Sequence, residues 1–265
     1  MLKYEFMRNA FLSGILLALT VPLIGIVVVN RRTSNIGDAL SHTSLVGISL
    51  GLIFGFSPII GAIIIAILSA FSIEKIREIF PKNGDMATVI VTSLGIGLVS
   101  ILSDFVPGSQ NFDSFLFGSI LTVSKEDILI IFVISAFVFF TFFKNYWRIL
   151  YSTIDKTSAR LAGINVNKVD NLFTLMMALT IAISSRTVGA LMVSSLLVLP
   201  VASSIIFSKT YRDLIIYSIF FALIYVIIGI TISYYLKLKP GGSIVITGII
   251  GLIICFLIKK FLDKN

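Results

Sequence analysis

The chain has 265 residues, 57% of them hydrophobic and only 13% charged, with a mean hydropathy of +1.05, so it reads as a polytopic helical membrane protein rather than a soluble domain. Its net charge of +8 does not mark a nucleic-acid binder, because the Lys and Arg residues lie between apolar runs and are not interleaved with stacking aromatics on a polar domain. One cysteine, Cys255, excludes an intramolecular disulfide and a cysteine metal cluster, and its apolar setting suits packing.

About 20 helical residues cross a hydrocarbon core, so apolar runs bounded by charges, Pro or Gly are the unit to count. Nine occur: 10–29, 37–56, 59–73, 86–106, 128–143, 172–185, 188–207, 214–236 and 244–258. The third and sixth are short for a straight crossing, which leaves eight spans as the alternative. The first run lacks a small-residue cleavage site and ends at Arg31 and Arg32, so it is kept as a span. With the N-terminus outside and the C-terminus inside, the inner loops collect 15 of the 21 Lys and Arg residues, as the positive-inside rule requires.

The second run, GDALSHTSLVGISLGLIFG, carries an acid and the chain's one histidine. At 100° per residue, Asp38 and His42 share a stripe, while Gly47, Gly51 and Gly55 fall roughly opposite. The glycines form a doubled GxxxG that lets another backbone approach closely. An Asp in mid-bilayer costs about 2.5 to 3.5 kcal/mol on insertion scales, so an intramembrane DxxxH pair needs a use or a partner. A path for a divalent metal ion is the use expected here, with an N-terminal cap the simpler reading of Asp38 alone.

Between Asp104 and Asp127 the chain reads as a loop and a half-helix at the outer face. The longest polar insertion, Lys144 to Asp170, contains STIDKTSARLAGINVN and reads as a short helix on the inner face ending at Gly163, either a docking element or an ordinary connection. The seventh run, VGALMVSSLLVLPVASSIIF, is rich in small residues and carries Pro200, which should kink its helix.

These stretches together resemble a known family. RRTSNIGDALSHTSLVGISLG (31–51), FDSFLFGSILTVSKEDI (112–128), IDKTSARLAGI (154–164), VGALMVSSLLVLPVAS (188–203) and PGGSIVITG (240–248) stand in the order found in the permease subunit of ATP-binding-cassette importers for zinc, manganese or chelated iron. The resemblance implies one domain over residues 1–265 with the all-α, vitamin-B12-type (type II) importer permease fold, placed in the cell membrane as a homodimer. It implies a cytoplasmic coupling helix within 153–166, with Asp155, Ala159 and Gly163 at the family's positions. It implies that Asp38 and His42 lie on the pathway as transient metal ligands. The expected partners are an ATPase subunit that uses the ATP, an extracytoplasmic metal-binding protein and a second copy of the chain. No cofactor is expected to reside on this chain, and the ion is cargo. Zinc is the first choice, because GDALSHTSL and FLFGSILTVS are more similar to the family's zinc branch; an imidazole and a carboxylate permit it, with manganese or iron as alternatives.

An ion-coupled secondary carrier would need several buried ionisable groups, and the spans hold almost none beyond Asp38 and His42. A metalloprotease would need HExxH, and a covalent serine mechanism a histidine beside GxSxG; neither is read here. The chain has no GxxxxGK[ST] phosphate loop, so it is not expected to be an enzyme, and its energy must come from another polypeptide.

Overall fold

The first apolar run folds as a helix of 26 residues, α1 (Glu5–Asn30), with one side or another of nearly every turn packed against neighbours. A computed structural model describes residues 4–80, 83–106 and 125–262. After α1 come α2 (Ile36–Phe54), α3 (Pro58–Ile79), α4 (Gly84–Ser103), α5 (Lys125–Lys144), α6 (Tyr146–Ile154), α7 (Lys156–Leu161), α8 (Val166–Thr187), a 3-10 turn (Ala190–Met192), α9 (Val193–Ile205), α10 (Tyr211–Leu236) and α11 (Pro240–Leu262). The described residues form helices and connections only. The expected outer loop and half-helix between Asp104 and Asp127 lies almost wholly outside the described residues.

Among the described residues, eight helices are long and apolar enough to cross a membrane: α1 to α5, α8, α10 and α11. Of the nine apolar runs the seventh does not form a full-length span, which leaves the eight of the alternative reading. There Gly189 takes φ 104°, a 3-10 turn follows, and α9 has only 13 residues, about 20 Å of helix against a hydrocarbon core of about 30 Å. This segment still carries the chain back across the bundle. Arg186 at the end of α8 meets Asp127 at the start of α5, whereas Ser204 near the end of α9 donates to the Leu214 carbonyl on α10. Tyr211, which opens α10, lies against Tyr146 at the start of α6, at the end of the bundle that holds Arg31. The third and sixth runs are full helices of 22 residues, because their polar flanks, Glu74–Ile79 and Val166–Asn171, continue the helix past the apolar stretch.

Two packing groups meet at the centre. Helices α2, α3 and α4 pack together, and α1 packs on α9, α10 and α5; α8 touches both groups. The closest approach is between α2 and α3. A Cβ on Gly47 would lie 2.1 Å from the Gly61 carbonyl oxygen, and one on Gly51 would lie 2.8 Å from Pro58 Cα. Two backbones therefore touch where side chains would normally hold them apart, which suits a bilayer, where helices associate through packing. Gly55 does not share that contact. It has φ 75° and terminates α2, its N–H donating to the Gly51 carbonyl, with open space where a Cβ would sit. Its place in the glycine stripe is thus corrected to a helix C-cap, a left-handed position that glycine adopts without strain.

Outer faces of α3, α4, α5, α10 and α11 expose large apolar side chains, among them Leu68, Leu94, Phe140, Phe220 and Phe256. Such faces are stable against lipid and would be costly against water. Pro200 lies inside α9 and removes the N–H that would bond the Leu196 carbonyl.

Candidate metal pathway

Helix α2 is buried around most of its circumference, yet Asp38 is exposed and His42 half-buried, one turn apart on the same stripe. Their neighbours Gly37, Ala39, Leu40, Ser41, Thr43 and Ser44 are buried. The carboxylate and imidazole are therefore the open polar face of an otherwise packed helix, and they interact electrostatically. Asp38 is not the N-cap. That position belongs to Asn35, whose side chain makes no capping bond, while the Asp38 Oδ1 accepts a hydrogen bond from the Ser194 hydroxyl at the start of α9. Asp38 still lies in the first turn, where the helix dipole favours a negative charge.

A hydroxyl pair away from this face ties the helix into the bundle. Ser44 Oγ and Ser185 Oγ are 2.7 Å apart, joining α2 to α8 through fully buried side chains. Ser49 falls in the run Gly47-Ile48-Ser49-Leu50-Gly51, which does have GxSxG spacing, contrary to expectation. It is no nucleophile, because it is fully buried in an unbroken helix and donates to the Leu45 carbonyl at 2.9 Å.

Among the described residues no three His, Cys, Asp or Glu side chains group closely enough to hold an ion. One chain thus offers two donors, Asp38 and His42, fewer than the four that a tightly held zinc takes. A site of that kind suits an ion in transit, which must leave as well as arrive.

The opposite feature, at the Arg31 end, is a polar cavity of about 640 Å3 whose lining includes Arg31, Glu74, Arg77, Lys156, Arg160 and Asp170. Asp170 is its hub: Oδ1 accepts from Arg31 at 2.8 Å and Oδ2 from Lys156 at 2.7 Å. Arg31 also donates to Ser152 at 3.2 Å and lies over the Phe173 ring at 5.1 Å.

The segment expected to be one short helix is two. Helix α6 ends at Ile154, and Asp155, in extended conformation, both closes α6 and caps α7. Its carboxylate accepts from the Thr157 N–H at 2.8 Å and from the Ser158 hydroxyl. These bonds hold the Asp155 carboxyl below the usual carboxylate range, the Ser158 hydroxyl first and the Thr157 amide second. Ala159 is fully buried beneath α7. Gly163, at φ 79°, donates to the Arg160 carbonyl while Ile164 donates to that of Ala159, both at 3.0 Å, a Schellman closure that needs a left-handed residue. The three residues therefore define the start, the buried face and the end of one six-residue helix, whose last residue Leu161 is exposed, as is Ile154 at the end of α6.

Three participants were not singled out from sequence: Ser194, Asp170 and the partner of Arg186. Ser194 stood among several small residues and Asp170 at the edge of an apolar run, and nothing local to Arg186 points to a partner 59 positions away. Arg186 pairs with Asp127 at 3.4 Å, both largely buried.

Residues 3–259 match the ABC 3 transport family. The chain belongs to the ABC 3 transport family. Relatives of this ABC 3 permease include a probable metal transport system membrane protein of Treponema pallidum, 34% identical with 98% of each chain covered. A high-affinity zinc uptake system membrane protein of Buchnera aphidicola is 33% identical, with 92% of this chain and 94% of that one covered. A manganese transport system membrane protein of Listeria monocytogenes is 27% identical, covering 97% and 92%. Among solved structures, PsaBC from Streptococcus pneumoniae in complex with Fab superposes with a TM-score of 0.88 at 27% identity, covering 99% of this chain and 96% of that one. The fold of this ABC 3 permease is the type II importer permease fold, and the chain is a multi-pass membrane protein.

Proposed function

We propose that this permease is the membrane subunit of an ATP-driven importer of divalent metal ions, with zinc as its cargo. The observation that carries this reading is the placement of Asp38 and His42, a carboxylate and an imidazole one turn apart on the open stripe of a buried helix. Two copies in a homodimer would bring two such pairs to one path and supply up to four donors, the number zinc favours. Relatives named for zinc uptake support the ion, and those named for manganese give the second reading, since manganese accepts the same pair with additional oxygen ligands.

The capped, closed α7, with Asp155, Ala159 and Gly163, serves as the coupling helix within 153–166 and docks on a separate ATPase subunit. The described Lys and Arg residues of the Arg31 end, including Arg77, Arg148, Lys156, Arg160 and Arg212, support an orientation with that end in the cytoplasm, the N-terminus outside and the C-terminus inside. An external binding protein delivers the ion to the outer mouth. Closure of the ATPase pair moves α7, switches the access of the dimer and passes the ion along the Asp38 and His42 faces.

The deciding experiment is uptake of labelled zinc and manganese into cells lacking their own importers, with the permease expressed beside its ATPase and binding protein. Zinc uptake abolished by an ATPase-dead partner is the expected result. Manganese-only uptake would replace the cargo, and uptake indifferent to the ATPase would overturn the importer reading.

A further inference from the structure

The Ser194 hydroxyl reaches a carboxylate on another helix, unlike several hydroxyls nearby. Ser41, Thr43, Ser49 and Ser184 each donate to the carbonyl four residues back in their own helix. Ser194, the second residue of α9, crosses to another helix and donates to Asp38 Oδ1. The crossing is set by backbone as well as side chain. A Cβ on Gly37 would lie 3.0 Å from Ser194 Oγ and 3.5 Å from Ser194 Cα, so the absence of a side chain at 37 lets the start of α9 rest against the first turn of α2. The broken entry to α9, through Gly189 and the 3-10 turn, is what directs that start at Asp38.

An ionised carboxylate is an acceptor only, with about four lone-pair directions over its two oxygens. A donor fixed on Oδ1 takes one of them and holds the side chain in one orientation, leaving the remaining directions to an ion. Donors of this kind orient metal ligands, and their loss typically costs about 10 to 100-fold in metal affinity or activity. We infer that Ser194 is the positioning residue for Asp38: its hydroxyl sets the carboxylate for the ion beside His42 and joins α9 to the ligand-bearing helix. The inference rests on the pathway role of Asp38 and His42.

The test uses the permease reconstituted in lipid nanodiscs, with binding of zinc and of manganese read separately by calorimetry and by the manganese spin-resonance signal. It also uses uptake in cells that carry the ATPase and binding protein. S194A is expected to weaken metal binding and lower uptake about 10 to 100-fold with an unchanged melting temperature. S194C, near in size but a poor donor, should resemble S194A, whereas S194T, which keeps the hydroxyl, should recover most of the loss. In a D38A background S194A should cost nothing further. Wild-type binding and uptake in S194A and S194C, or an equal loss from S194A with and without Asp38, overturns the role of Ser194 alone. Unchanged uptake in D38A overturns the pathway reading and this inference with it.

Discussion

Arg31 and Asp170, 139 positions apart in sequence, meet at 2.8 Å and tie the turn after α1 to the start of α8. The turn is itself under tension. Arg32 follows with φ 56°, a left-handed conformation that costs a non-glycine residue about 1 to 2 kcal/mol, and Asp38 lies in the first turn of the next helix. Through Lys156 and Ser152 the same pair reaches α7 and α6, so one ionic hub joins the segment ahead of the candidate ligands to the candidate coupling helix.

Removing the hub should be costly because both groups are mostly buried. R31A leaves Asp170 with only an exposed lysine and should destabilise the permease by about 2 to 3 kcal/mol. R31K should recover only part, since one ammonium cannot reproduce the fork to Asp170 and Ser152 over the Phe173 ring. K156A, which removes a half-exposed ammonium, should cost under about 1 kcal/mol. Thermal unfolding followed by Trp147, the single tryptophan, measures all three. A K156A loss equal to that of R31A would refute the ranking.

The bundle was legible because a bilayer enforces long apolar runs, and eight of the nine proved to be long helices. The seventh was misjudged because hydropathy counts Val188–Phe207 as one run, whereas Gly189 and the 3-10 turn reset the helix at Val193. Asp38 and His42 stood out as rare ionisable groups in an apolar setting. Ser194 did not, since a serine in a membrane helix ordinarily bonds its own backbone and nothing local signals that its hydroxyl crosses to α2. Gly55 was misread because its spacing fits the stripe, and only the backbone reversal at the end of α2 reveals a cap. The Arg31 pairing with Asp170 is a product of the fold and leaves no local pattern.

The ligand pair makes a claim about ion choice that chemistry can separate. H42D replaces the nitrogen donor with oxygen and should lower zinc uptake by about tenfold or more, the equivalent of about 1.4 kcal/mol, while manganese uptake falls less. Competition uptake with both ions in the same cells measures the shift. Equal losses for the two ions would mean that His42 does not discriminate between them.

The glycine contact between α2 and α3 separates steric from conformational cost. G47A places a methyl 2.1 Å from the Gly61 oxygen, so the helices must part, a disruption of about 1 to 3 kcal/mol or more. G55A meets no atom within 4 Å and carries only the left-handed backbone penalty, about 1 to 2 kcal/mol. Yield of folded protein and melting temperature in detergent should therefore fall further for G47A than for G55A. The reverse order would show that the α2–α3 contact yields more readily than the turn.

At α7 the prediction is one of pH. Asp155 accepts from Ser158 and Thr157 in the folded chain, and these bonds lower its pKa relative to the unfolded chain. A depressed carboxyl pKa stabilises the fold above the unfolded value, and that contribution fades as pH falls through the folded value, below the ordinary range near 3.8. The cap is therefore fully formed at neutral pH and yields only to strong acid. D155N keeps an acceptor for the Thr157 amide but loses this titration, whereas D155A loses both. Hydrogen exchange at Thr157 and Ser158 should be fastest in D155A at neutral pH, intermediate in D155N and slowest in the wild type. Stimulation of the ATPase by the loaded binding protein should run in the opposite order, lowest in D155A and highest in the wild type, because an α7 that frays cannot transmit closure to Lys156 and Asp170. Exchange that rises in D155A with ATPase stimulation unchanged would separate the cap from coupling and remove α7 as the transmitting element.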